Sequence, residues 1–123
     1  MQKTSIDAIR GKVIETGSDY ERTVKLIASP KSRIKRDAYG CGVTIIPAGH
    51  RHESHAHPAS SELIYVLAGK GTGLVGGQAI ELAEGDIIAI AENEAHQFEN
   101  AGDVELRLYW IYSPSGAEVR FED

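Results

Sequence analysis

From residue 39 onward the chain is a succession of short apolar runs, each cut off within a few residues by glycine, proline or asparagine. This punctuation limits the fold more than any other feature. Tyr39 to Ile46 ends at Pro47-Ala48-Gly49, Leu63 to Leu67 at Ala68-Gly69-Lys70-Gly71, and Gly73 to Val75 at Gly76-Gly77. Ala79 to Leu82 stops near Glu84-Gly85-Asp86, Ile87 to Ile90 at Glu92-Asn93-Glu94, and Leu106 to Tyr112 at Pro114. Such spacing leaves little room for helices and predicts an all-β sandwich or barrel. Val75 to Ala79 reads as a tight hairpin, because paired glycines accept the positive φ that two-residue β-turns demand. Gly71-Thr72-Gly73-Leu74-Val75-Gly76 spells GxGxxG, but that fingerprint must open a helix within a βαβ unit, and here another strand follows. These glycines are read as turn residues.

The first 38 residues carry weaker signals. Ser5 to Ile9 could form a helical turn, and Thr23 to Ala28 reads as a strand with Val24, Leu26 and Ala28 on one face, broken by Ser29-Pro30-Lys31-Ser32. That strand is expected at a barrel edge, this chain's own or a partner's. A length of 123 residues fits one domain, divided into an extension (1–38), a barrel core (39–114) and a tail (115–123). The net charge of -5 argues against a general nucleic-acid or membrane surface. Lys31, Arg33, Lys35 and Arg36 form the one dense basic stretch and are read as a solvated loop or strand edge rather than a contact for an anionic ligand. Cys41 is alone, so no intrachain disulfide can form, and it is placed as a small buried residue. Met1 to Val13 lacks an apolar stretch of signal-peptide length and nothing downstream approaches a membrane span, so a soluble cytoplasmic protein is expected.

Four residues suggest a metal site. His55 and His57 lie two apart, a spacing that sends both imidazoles to one side of an extended strand. Glu62 opens the following run, and His96 would come from a later strand. Surface histidines in a polar loop usually bind nothing, and His50 and His52 show that this segment is histidine-rich. Those two are assigned to the barrel mouth as exposed residues. The nitrogen-and-oxygen set itself suits one divalent transition ion, Mn, Fe, Co, Ni, Cu or Zn, and not a thiolate-rich site.

The spacing of these residues resembles the cupin superfamily. Its first motif, a glycine, five residues, His-x-His, three or four residues, Glu, six residues and Gly, is matched by Gly49, His55, His57, Glu62 and Gly69. Its second is matched by Gly85, His96 and Asn100, with Ala91 in place of the usual proline and Asn93 in place of the usual glycine. Asn tolerates positive φ better than most residues, so the turn can survive. The resemblance implies a double-stranded β-helix, or jelly-roll barrel, holding the ion at one end on His55, His57, Glu62 and His96. If Glu62 faces inward, alternation takes Ile64 and Val66 inward too, and His96 takes Phe98 and Asn100. Gln97 then points away.

Tyr109 and Trp110 join Ile64, Val66 and Phe98 as candidate pocket residues, although Arg107, Tyr109 and Ile111 share one face and Leu108, Trp110 and Tyr112 the other. Which face lines the barrel is open in the sequence. The resemblance implies a metal-dependent enzyme acting on a small oxygen-rich molecule, by oxidative cleavage, isomerisation, lyase chemistry or decarboxylation. A binding or sensing module, or a purely structural metal, are the other readings. A homodimer is expected, and neither a nucleic-acid nor a membrane partner.

Overall fold

Along Ser61–Ala68 (β5) burial alternates residue by residue: Glu62, Ile64 and Val66 lie inside while Leu63, Tyr65 and Leu67 face out. Leu106–Ser113 (β10) repeats the pattern, with Leu106, Leu108, Trp110 and Tyr112 inside. This two-residue period is what a sheet with one covered face requires. The computed structural model describes residues 1–121. The remaining strands are β1 (Lys12–Ile14), β2 (Arg22–Ser29), β3 (Ile34–Lys35), β4 (Gly40–Ile46), β6 (Lys70–Val75), β7 (Gln78–Ala83), β8 (Ile87–Ile90) and β9 (His96–Glu99). Two 3-10 turns, Ile6–Ala8 and Ala117–Phe121, are the helical elements among the described residues. Among the described residues no helix is long and apolar enough to cross a membrane.

The larger sheet runs β1-β2-β4-β10-β5-β8, with β3 beside β2, and the smaller β7-β6-β9. One apolar core joins their inner faces: Val24, Ile46, Ile64, Val66, Leu106, Leu108 and Trp110 meet Leu82 and Phe98. The fold is a jelly-roll β-barrel, as the turn spacing and the family resemblance led us to expect. Phe98, Ile46 and Leu106 are fully buried, and each contributes about 1.5–3 kcal/mol by leaving water. Asn100, also fully buried, donates to the carbonyls of Ile46 (2.8 Å) and Val104 (2.7 Å) and accepts from the Gly102 amide (2.9 Å). It pins the end of β9 to the end of β4.

Several expectations are corrected. Thr23 to Ala28 forms part of β2, but this strand lies between β1 and β4 of the same chain, and β1 takes the edge. A register shift between Leu26 and Ala28 moves Ala28 opposite Cys41, off the face shared by Val24 and Leu26. Gly71 and Gly73 are not turn residues. Both sit inside β6, where an added Cβ would meet the Glu99 carbonyl oxygen at Gly71 and the Phe98 ring (2.8 Å) at Gly73. The hairpin at Gly76-Gly77 is present, with φ values of 54° and 82°. Asn93 stands at φ 63°, as the sequence led us to expect. The 115–123 tail is not a simple extension: its 3-10 turn packs Phe121 against Trp110, ring centroids 5.8 Å apart, while Glu122 and Asp123 lie outside the described residues.

Candidate metal centre

Residues 51 to 55 run antiparallel to β9 and extend the smaller sheet. His55 and His96 exchange both backbone bonds, His55 N to His96 O at 3.1 Å and His96 N to His55 O at 2.9 Å. Directly opposed residues of this kind carry their side chains on one face, and the two rings stand 4.3 Å apart, centroid to centroid. His57 arrives differently from the expectation. The segment after His55 leaves the sheet, so the two histidines do not share a strand; a loop returns His57 to the cluster, its ring 4.8 Å from that of His55 and 5.2 Å from that of His96. One ring nitrogen from each of the three lies within 4.8 Å of the others. Glu62 projects inward from β5, its Oε1 3.1 Å from His96 Nε2 and 3.7 Å from His57 Nε2.

Hydrogen bonds fix the tautomers. Nδ1 of His55 donates to Glu53 O (3.1 Å) and Nδ1 of His96 to Glu94 O (3.0 Å), because a carbonyl only accepts. In the neutral imidazole each ring then keeps its lone pair on Nε2, the arrangement a metal-ligating imidazole needs. His96 is 1% exposed, and its Nε2 makes no hydrogen bond. A buried lone pair thus faces a buried carboxylate oxygen, and two acceptors at this distance repel unless a cation or proton lies between them. Bonds of about 2.1 Å to a common ion set donor atoms roughly 3–4 Å apart, a range that contains the Glu62 contacts. The three histidines group closely enough to hold a divalent transition ion, with the Glu62 carboxylate beside two of them.

His52 corrects the sequence reading, which placed it exposed at the barrel mouth. It is 5% exposed and lies against His55 and Phe98. Its Nδ1 donates to Glu53 O (2.8 Å) and its Nε2 accepts from the Phe98 amide (3.0 Å), so neither nitrogen is left to hold an ion. Burial holds its pKa down to about 3. His50 is half-buried, Nδ1 bonded to Glu21 O at 2.8 Å.

The cavity in front of the cluster measures about 30 Å3 and is lined by Arg22, Thr44, His52, His55, Glu62 and His96 together with Ile64, Phe98, Leu108, Trp110, Tyr112 and Phe121. Of the five sequence-nominated pocket residues, Ile64, Phe98 and Trp110 line it. Val66 is buried in the core beyond it. Tyr109 turns to the other face of β10, where it bonds Cys41; burial first, then that bond, pushes its pKa up to about 12. Cys41 is buried, as expected, and burial raises its thiol pKa. Trp110 donates Nε1–H to Thr44 Oγ1 at 2.8 Å, which fixes its indole in the wall.

Sequence reasoning missed Arg22. It is 3% exposed, lines the cavity, and binds both Glu53 oxygens (3.0 and 3.1 Å) and Tyr20 O (3.0 Å). The signal was there: Arg22 is two residues before the inward Val24.

The match to known proteins agrees with this architecture. Residues 42–112 fit the family model described as a cupin domain. The chain belongs to the cupin family. An uncharacterised protein from Methanocaldococcus jannaschii is 28% identical over 121 residues, covering 95% of this chain and 93% of its own. Protein SchB of Streptomyces halstedii is 36% identical over 73 residues, 59% of this chain and 53% of that protein, so this cupin spans about half its length. A crystal structure from Thermotoga maritima, of a predicted oxalate decarboxylase, superposes with a TM-score of 0.82 at 21% identity, over 93% of this chain and 100% of that one.

Proposed function

We propose that this cupin is a metal-dependent enzyme acting on a small oxygen-rich metabolite, with His55, His57, Glu62 and His96 holding one divalent transition ion. The observation that carries the reading is the buried His96 Nε2 aimed at Glu62 Oε1 at 3.1 Å inside a cavity with apolar walls. A bound ion would supply Lewis acidity toward a substrate oxygen. The chain's own residues do the rest. Glu53 and Glu94 carbonyls hold the imidazoles in the ligating tautomer. Ile64, Phe98, Leu108 and Trp110 exclude bulk water and strengthen each charge interaction in the cavity. The test is to load the protein with each ion in turn and screen hydroxy acids, diketones and keto sugars for turnover; inactivity with all of them contradicts catalysis.

One observation favours a second reading, a non-catalytic binder of a small molecule. Glu62 is the one carboxylate among the described residues lining the cavity, and it is committed to the ion, which leaves no separate acid or base of that kind. Co-purification of an unaltered small molecule would support that reading.

We also place a second copy on the outer face of β5 and β8. Leu63, Tyr65, Leu67 and Ile87 are 47%, 40%, 40% and 62% exposed there on neighbouring strands, a contiguous apolar face of the kind that marks an interface. Sedimentation at micromolar concentration should find a dimer; a monomer contradicts this placement.

A further inference from the structure

We infer that Arg22 is a specificity-determining residue that selects small carboxylate-bearing ligands for the metal cavity, an inference that rests on the metal reading above. Arg22 is the one lysine or arginine among the described residues lining the cavity, and it shares that lining with His55, Glu62 and His96. A ligand small enough for this space meets both the histidines and the guanidinium.

Arg22 spends three of its five N–H donors on the protein, Nη1 on Tyr20 O and Glu53 Oε2 and Nη2 on Glu53 Oε1. Nε–H and the second Nη2–H have no acceptor among the described residues. Arg22 is 3% exposed and lines the cavity, so little water competes for these donors. A ligand oxygen in the cavity would complete the set. Charge points the same way: with a divalent ion on Glu62, the ion and Arg22 together outweigh Glu62 and Glu53, and Glu53 is itself 37% exposed and partly screened. The fork geometry of a guanidinium favours a planar carboxylate over a neutral oxygen ligand.

Arg22 could alternatively serve only as a clamp, because Glu53, whose carboxylate it grips, also offers its carbonyl to His52 and His55. The two roles predict opposite effects of Glu53→Gln. Cobalt-loaded wild type, Arg22→Met and Glu53→Gln are titrated with glycolate and with its neutral counterpart glycolamide, reading the Co2+ absorption. An anchor predicts that R22M keeps its cobalt but loses at least tenfold of the preference for glycolate over glycolamide. It also predicts that E53Q binds glycolate severalfold more tightly than wild type, because the guanidinium has lost its competing anion. An unchanged preference in R22M, or weaker glycolate binding in E53Q, overturns the inference while leaving the metal site intact. Failure of wild type to bind cobalt overturns the metal reading, and this inference with it. Should R22M not fold, E53Q decides the matter.

Discussion

Replacing Glu62 by glutamine should change the protein's stability in opposite directions with and without metal. In the metal-free protein the carboxylate Oε1 lies 3.1 Å from a His96 Nε2 whose proton resides on Nδ1, bonded to Glu94 O. Both atoms are acceptors and both residues are buried, at 6% and 1% exposure. Glutamine has the same shape but brings an N–H donor, so repulsion becomes a buried hydrogen bond and a desolvated charge disappears. Each such change is worth about 1–3 kcal/mol, which for a chain of this length raises the melting temperature by roughly 5–10 °C. With metal the order reverses. Wild type at one hundred times its dissociation constant gains about 2.7 kcal/mol, while E62Q has lost the single anionic donor and gains less at the same concentration. Melting curves of both proteins in EDTA and in excess Mn2+ or Co2+ make the comparison. If E62Q melts lower than wild type in EDTA, Glu62 and His96 share a proton in a stable ion pair, and the electrostatic case for a cation between them fails.

Asn100→Leu strands two carbonyls and one amide that the amide side chain now satisfies; we expect a loss of roughly 3 kcal/mol or more, read by urea denaturation. Burial depresses the His52 pKa to about 3, below its unfolded value, so the unfolded chain takes up the proton first and stability falls as pH drops from about 6.5 toward 3. By pH 4 this amounts to about 3 kcal/mol, and in EDTA His52→Gln should show a correspondingly shallower decline than wild type; parallel curves would refute the assignment. Ile87→Glu, at a 62% exposed position, should abolish the dimer proposed on this face, leaving monomer in sedimentation, while changing monomer stability by no more than about 0.5 kcal/mol.

Particular residues show what the sequence could and could not reveal. Turn chemistry announced the strands because glycine, proline and asparagine act locally, and Asn93 at φ 63° shows how directly. His55, Glu62 and His96 were legible because metal-ligand residue types at family spacing are a specific signal. The manner of their meeting was not, since His57 reaches the cluster through a loop whose path depends on where the pairing between His55 and β9 stops. His52 was misplaced because its burial depends on one long-range bond to the Phe98 amide, which nothing local predicts. Alternation separated Tyr109 from Trp110 correctly, but a period of two carries no sign, and only the packing against β4 and β5 decides which face is inside. Arg22 was passed over because a charged residue is not expected in a core; its partner Glu53 is 31 positions away.

We propose that His55, His57, Glu62 and His96 close on one cation. Anomalous diffraction at the absorption edge of the loaded metal tests it directly. A single peak per chain is expected within bonding distance of the three Nε2 atoms and the Glu62 carboxylate, absent in crystals of His96→Ala. No peak at that position in metal-soaked wild type, or a peak that persists unchanged in the variant, would contradict it.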